Sequence, residues 1–270
     1  MTKSAITSYQ SPLLVIIGET ASGKSALALK IAEELGGEIV CADSRTVYAG
    51  MDVGTAKPNQ EQQERVQHHL LDVVKPNQSF TVVDFKKQAE AAIQDITTRG
   101  KLPILVGGSG LYIDAVIFDY QFPASASDRD SVNPRHLGGD VKATKSQIRQ
   151  NTLVVGMALS EETLQQRIEN RVNTMFNTGL RQEVGRLGSI YDPNVEPLKS
   201  IGYGEWQAYF EGTQTIQQTK EKIIVNTRKL AKKQRTWFKR NQDINWFDNQ
   251  HLALEFVRNW QNTTNQVNKV

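Results

Sequence analysis

A glycine-rich segment near the N-terminus contains residue types that bind phosphate. Residues 18–25, Gly-Glu-Thr-Ala-Ser-Gly-Lys-Ser, match the pattern G-x-x-x-x-G-K-[ST] between an apolar run and a helical pattern. Such a loop can wrap a phosphate with its backbone N–H groups, while Lys24 adds a positive charge and Ser25 offers a hydroxyl to Mg²⁺. The residues expected to form this phosphate site are Gly18, Thr20, Ala21, Ser22, Gly23, Lys24 and Ser25.

An acidic residue follows the next predicted strand. The apolar run 38–42 leads directly into Asp43. Because parallel α/β sheets bind ligands at the carboxyl ends of their strands, this carboxylate can reach the crevice that holds the loop. A phosphate loop facing a carboxylate is the core of a group-transfer site. Asp43 is therefore a candidate catalytic residue, with a helix cap or turn residue as the alternative.

The predicted strand 102–106 ends in two glycines, where many P-loop hydrolases carry a magnesium-binding aspartate. This difference disfavours an ATP-hydrolysing motor and indicates that backbone or ligand approaches closely at Gly107 and Gly108. The next residue, Ser109, is either a ligand contact or a helix cap.

Two arginines lie four residues apart on a predicted helix. Arg167 and Arg171 share one face of that helix and could clamp a phosphate bidentately. The alternative is a solvated face, on which they would pair with Glu161 or Glu169.

A strongly basic helix is predicted from about residue 215 to 240. Its residues at i, i+4, i+7 and i+11 form what we call the basic stripe, namely Arg228, Lys232, Arg235 and Lys239. A second set repeats every seven residues and is expected to face the core: Ile216, Ile223, Leu230 and Trp237. Because Glu221 is the only acidic residue in this segment, the stripe is predicted to bind a nucleic-acid backbone. A solvated amphipathic helix is the alternative.

Length and composition restrict the class of protein. The 270 residues, 39% of them apolar, allow one large domain or two small ones with a real core. The sequence has no apolar run of about 18 residues and no apolar signal-peptide region, so we expect no membrane association. The single cysteine, Cys41, excludes an internal disulfide and suits a reducing cytosol. We expect a cytoplasmic protein, and nothing in the sequence demands more than a monomer.

The order of apolar runs and helical patterns predicts an α/β fold of the P-loop kinase type, with a parallel sheet between two helical layers. Strands are predicted at 13–17, 38–42 and 102–106. The pattern fails between residues 122 and 150, where prolines, glycines and short polar residues favour a loop or a reduced insertion. The predicted core therefore spans 1–122 and 151–270, with a short insertion at 123–150.

Taken together, these segments resemble the tRNA dimethylallyltransferases, the IPP transferase family, which prenylate N6 of an adenine beside the anticodon. The resemblance runs through most of the chain, in blocks at 18–25, 43–48, 50–58, 68–72, 104–112, 167–171, 201–203 and 226–238.

The resemblance implies a role for each candidate residue. The loop would hold the diphosphate of dimethylallyl diphosphate with help from Arg171, and Mg²⁺ would bind at Ser25. Asp43 would be the general base and Ser109 would lie near the reacting amine. Arg45 and the basic stripe would contact the anticodon stem-loop of tRNA.

Three departures from the family pattern are visible. Glu19 stands where the family usually has proline, and Thr46 replaces a common glutamine. The segment 122–150 occupies the place of a longer helical insertion that grips the anticodon stem-loop. Weaker binding to RNA than in full-length relatives is therefore expected.

Three other functions stay open at this point. A P-loop kinase acting on a nucleotide or metabolite would bind ATP and usually needs an arginine-rich lid, a role that the basic helix does not serve. A prenyltransferase acting on free adenine nucleotides would not need that helix. An RNA-binding protein that has lost catalysis would not need the full set of polar site residues.

Overall fold

The computed structural model describes residues 11–122, 142–143 and 148–267. The strands in these residues are β1 (Leu13–Gly18), β2 (Gly37–Ala42), β3 (His68–His69), β4 (Leu102–Gly107), β5 (Tyr120–Gln121), β6 (Lys142–Ala143), β7 (Thr152–Met157) and β8 (Ile244–Phe247). Within the described residues, six strands form a parallel sheet in the order β3-β2-β4-β1-β7-β8. β5 and β6 form a separate antiparallel pair.

Helices cover both faces of this sheet. They are α1 (Lys24–Leu35), α2 (Gln60–Arg65), α3 (Val82–Thr98), α4 (Gly110–Ile117), α5 (Glu161–Asn177), α6 (Leu180–Ile190), α7 (Gln207–Phe210), α8 (Ile216–Phe238) and α9 (Gln250–Val267). Side chains of α3 and α4 pack on one face of the sheet, and those of α1 and α9 pack on the other. The predicted three-layer α/β/α architecture is confirmed.

Local sequence signals place several of these elements. Thr81 begins α3 with a reciprocal capping box to Asp84, as its spacing predicts. Gly36 ends α1 with a φ of 66°, a left-handed conformation that glycine adopts without strain. Cys41 is buried in β2, and burial raises the pKa of its thiol to about 12, as expected for a packing residue.

The strand order explains why distant segments meet. β4 lies between β1 and β2, and all three run in the same direction. Their carboxyl ends therefore lie side by side at one edge of the sheet. These ends lead into the glycine-rich loop 18–25, Asp43 and the segment 107–110.

The buried face of α8 differs from the one that the seven-residue repeat predicts. Ile216 is 45% exposed, and the buried residues of this helix are Thr219, Ile223, Thr227, Ala231 and Phe238. The direction of every seventh side chain rotates by about 20° around a straight α-helix, so a line of residues seven apart leaves a straight interface over three heptads. Most of the predicted insertion 123–150 lies outside the described residues. Among the helices that are described, none combines the length and apolar character needed to cross a membrane.

Candidate active site

The glycine-rich loop turns sharply from β1 into α1. Gly23 precedes the helix with a φ of 95°, and Ala21 has a φ of 68°, which is unusual for a residue with a side chain. In the described part of the chain, the amides of Ala21, Gly23, Lys24 and Ser25 donate to no protein acceptor. The loop therefore presents open N–H groups at the positive end of a helix dipole, an arrangement that binds anions.

Two partly buried cations lie beside this loop. The pKa of Lys24 is lowered to about 8, first by burial and then by the charge of Arg171. Burial also lowers the pKa of Arg171, whose Nη2 donates to the carbonyl of Thr55 at 2.9 Å. Neither cation forms an ion pair with a carboxylate of the described residues. Their charge is therefore available to an anionic ligand.

Asp43 lies at the end of β2, close to both cations. Its negative charge acts to raise the pKa of Lys24 and of Arg171. One carboxylate oxygen, Oδ1, accepts a hydrogen bond from the amide of Arg45 at 2.8 Å. Asp43 can therefore be both a turn residue and a catalytic residue, because its second carboxylate oxygen accepts no hydrogen bond from the described residues.

Ser109 is brought next to Asp43 by the pairing of β2 with β4. Ser109 precedes α4, but its hydroxyl does not cap that helix. Instead, Oγ accepts the amide of Ser44 at 3.0 Å. Of the two alternatives for Ser109, the structure therefore favours a ligand contact in the candidate site over a helix cap.

Both arginines of α5 face the glycine-rich loop. Arg167 donates through Nη1 to the carbonyl of Ser22 at 3.3 Å. Of the alternative, the pairing with Glu161 or Glu169 is wrong, because neither arginine forms such an ion pair and Glu169 binds Arg228 of α8. Arg167 is exposed, as a solvated face would have it, whereas Arg171 is partly buried. The packing of α5 against α8, which sequence spacing does not reveal, determines the partner of Glu169.

The chain matches the model of one protein family, described as IPP transferase, over residues 46–140 and 133–241. The chain belongs to this family. A tRNA dimethylallyltransferase of Anoxybacillus flavithermus is 36% identical over 279 aligned residues, which cover 87% of this chain and 90% of that protein. The Bacillus subtilis tRNA dimethylallyltransferase is 34% identical, with coverages of 88% and 91%.

A solved structure agrees with this membership of the IPP transferase family. The full-length tRNA isopentenylpyrophosphate transferase from Bacillus halodurans superimposes with a TM-score of 0.82 at 28% identity, covering 97% of this chain and all of that one. The 279-residue alignment to the Anoxybacillus protein is longer than the matched part of this chain, so that relative contains residues with no counterpart here.

Gln234 of α8 is a site residue that sequence reasoning missed. Its Oε1 accepts the amide of Thr20 at 2.8 Å, and its Nε2 donates to the carbonyl of Gly108 at 3.0 Å. The amide of Thr20 is therefore already bonded, and so is that of Ser22, which donates to the carbonyl of Glu19 at 3.1 Å, unlike the amides of Ala21, Gly23, Lys24 and Ser25. A Cβ on Gly108 would collide with the Gln234 side chain, which explains the predicted close approach at the glycine pair.

Glu183 of α6 is a second residue that the sequence did not single out. This buried carboxylate accepts the amides of Asp52, Val53 and Gly54 at 2.8–3.0 Å and the hydroxyl of Tyr203 at 2.7 Å. The same segment of chain supplies the carbonyl that Arg171 binds. Glu183 thus fixes the backbone that orients a site cation.

The basic stripe is half neutralised inside this IPP transferase. Arg228 pairs with Glu169 and Arg235 pairs with Glu19. The expectation that balancing acids are missing is wrong for these two, because α5 and the glycine-rich loop supply them. Lys232 and Lys239 are exposed and form no ion pair within the described residues. Arg45, at a different place on the surface, pairs with Glu196 at 3.2 Å.

Proposed function

We propose that this chain transfers the dimethylallyl group of dimethylallyl diphosphate to N6 of adenine-37 in tRNA, releasing diphosphate. One observation carries the proposal: the carboxylate of Asp43 lies beside Lys24 and Arg171, two partly buried cations that form no ion pair with a carboxylate among the described residues. A base and an anion site are thereby placed together, as the attack of an amine on an allylic diphosphate requires.

Asp43 is proposed as the general base. The exocyclic amine of adenine is a weak nucleophile, because its lone pair is delocalised into the ring. As N6 forms a bond to C1 of the allyl group, the C1–O bond to the diphosphate breaks and both electrons leave with oxygen. Asp43 accepts the proton that N6 loses. The hydroxyl of Ser109 lies near enough to this chain segment to help orient the amine.

The leaving group gains negative charge during this step. The open amides of the loop, Lys24 and Arg171 are placed to stabilise that charge. Among the described residues, no group of three or more His, Cys, Asp or Glu side chains is arranged so that it could hold a metal ion. Mg²⁺ fits the site as an ion bound mainly by diphosphate oxygens, with the exposed hydroxyl of Ser25 as a protein ligand. When bound, it supplies further neutralisation of the leaving group.

The acceptor adenine must leave its stack to reach Asp43, which costs less in an anticodon loop than in a duplex. The exposed and unpaired cations Lys232 and Lys239 are proposed to contact the surrounding RNA backbone. Arg45 is proposed as a weaker contact, because its ion pair with the exposed carboxylate of Glu196 lies at the surface, where such pairs contribute little and RNA can compete for the arginine. A tRNA substrate implies that the reaction takes place in the cytoplasm.

A prenyl-transfer assay tests this function. Purified protein is mixed with Mg²⁺, labelled dimethylallyl diphosphate and unmodified tRNA, with Asp43→Asn and Asp43→Ala variants in parallel. We expect label in tRNA with wild type and a loss of about 10²–10⁴-fold in both variants. Asp248→Asn, which changes an exposed aspartate after the parallel strand β8, is the matched control and should keep wild-type activity.

The acceptor is tested in the same experiment. Label that enters AMP or ADP but not tRNA would move the proposed substrate to free nucleotides. ATP turnover without any RNA would favour a kinase. Full activity in the Asp43→Asn variant would remove Asp43 from the role of base.

A further inference from the structure

Glu19 is a carboxylate buried inside an anion-binding loop. Its side chain is 4% exposed, and its own carbonyl accepts Nζ of Lys24 at 3.3 Å. A negative charge at this place opposes the binding of a diphosphate unless it is neutralised. The mechanism described above gives Glu19 no role.

Arg235 of α8 neutralises this carboxylate with a bidentate contact. Its Nε binds Oε1 of Glu19, and its Nη2 lies 3.0 Å from Oε2. Nη2 also donates to the carbonyl of Leu159 at 3.3 Å, which fixes the plane of the guanidinium. Two parallel N–H···O bonds to one carboxylate are the geometry that arginine forms best.

The residue that precedes Arg235 holds the adjacent loop residue. Gln234 accepts the amide of Thr20, so two consecutive side chains of α8 bind two consecutive residues of the loop. The connection joins positions 216 residues apart in the chain. α8 therefore determines both the charge and the backbone position of the loop at this point.

We propose that Arg235 is a positioning residue for the diphosphate site and not an RNA contact. It cancels the charge of Glu19 and holds the loop in its binding conformation. That the bound anion is a diphosphate rests on the proposed function. The proposal assigns Arg235, a member of the basic stripe that the sequence predicts to bind tRNA, to the glycine-rich loop instead.

The test is a double-mutant cycle that removes each charge in turn, with inorganic diphosphate as the probe. The dissociation constant of diphosphate with Mg²⁺ is measured by calorimetry, without RNA, for wild type, Glu19→Gln, Arg235→Gln and the double variant. Arg235→Gln leaves a buried carboxylate unpaired, so we expect binding to weaken about tenfold to hundredfold. Glu19→Gln should bind no more weakly than wild type. The double variant should return to within about threefold of wild type.

RNA binding separates this role from a backbone contact. Arg235→Gln should bind an anticodon stem-loop RNA within about twofold of wild type in the absence of diphosphate. Lys232→Gln, from the same stripe, is the contrasting variant: it should weaken RNA binding and leave diphosphate binding unchanged.

Two results would overturn the proposal. The first is a double variant as weak for diphosphate as Arg235→Gln alone. The second is an Arg235→Gln variant that loses RNA affinity and keeps diphosphate affinity. If Arg235→Gln does not fold, the double variant decides: wild-type diphosphate affinity supports the proposal and lost affinity refutes it. Because no prenyl transfer is measured, an incorrect acceptor or allyl donor would not change these outcomes.

Discussion

The glycine-rich loop with the neighbouring Arg171, and the basic stripe of α8, both supply cations, but these cations differ in burial and in ion pairing. Lys24 and Arg171 are partly buried and form no ion pair within the described residues. In the stripe, Arg228 and Arg235 are bound by carboxylates from other elements, and their lysine neighbours are exposed. A cation is available to a ligand only where the fold has not already supplied its counter-charge.

The difference matters because burial changes the value of a charge. A cation withdrawn from water interacts strongly with an anion that also leaves water, whereas an exposed lysine is screened by solvent and salt. The loop should therefore contribute large, localised effects to diphosphate binding and catalysis. The stripe should contribute small effects that depend on salt.

Among the cations of these two regions, the largest effect is expected at Lys24. Replacing it with Met keeps a long unbranched side chain and removes the charge, so the leaving diphosphate loses a partly buried cation. We expect kcat/KM for dimethylallyl diphosphate to fall about 10²–10³-fold, as for the loss of one preorganised donor at a developing charge. Steady-state kinetics measures this, and Lys30→Met, an exposed change on the same helix, is the control.

The pH dependence gives a second check on Lys24. Its pKa in the free protein is about 8, and a bound anion favours the protonated form and raises that value. Diphosphate binding must therefore take up a proton above pH 8, and wild-type affinity should fall by up to tenfold per pH unit there. Lys24→Met should lack this decline. A decline equal to that of wild type would show that another group is responsible.

A smaller effect is expected at Glu183, which acts on the site through the backbone. Glu183→Gln replaces an oxygen that accepts N–H groups with an amide that itself donates. At least one buried donor then loses its partner, which costs about 1–3 kcal/mol of folding free energy. We expect a lower Tm, measured by thermal unfolding, and a loss in kcat/KM of about tenfold as Arg171 becomes less well oriented.

The exposed residue Glu221 provides the matched control for this change. Glu221→Gln on α8 should alter neither Tm nor kcat/KM. If Glu183→Gln lowered the Tm and left the kinetics intact, Glu183 would be important for stability but not for the position of Arg171. The loop region would then depend on its own cations alone.

The predictable parts of the molecule are those that local sequence determines. The glycine-rich loop, the capping box at Thr81 and the aspartate after β2 each combine a short spacing with a known backbone geometry, and the structure places all three as expected. Strand adjacency in a parallel sheet then brings Asp43 and Ser109 together.

The contacts that were missed join residues far apart in the chain. Glu183 binds backbone about 130 residues away, and Arg235 binds a carboxylate 216 residues away. No periodicity encodes such pairs, because they depend on how α6 and α8 pack against the loops. The acids that pair with Arg228 and Arg235 could not be predicted for this reason. A count of acidic residues within α8 does not include acids that other elements supply.

The smallest effects are expected for the exposed half of the stripe. Lys232→Gln and Lys239→Gln should each weaken RNA binding by a few-fold and reduce the slope of log K against log salt by about one, because each lysine releases a counterion from the RNA backbone. Fluorescence anisotropy with an anticodon stem-loop at several salt concentrations measures both quantities. Arg228→Gln, in which the replaced cation is already paired with Glu169, should change the slope much less. Equal slopes for all three variants would mean that an ion pair within the protein does not keep a cation from contributing to RNA binding. The glycine-rich loop and the basic stripe would then differ only in the burial of their cations.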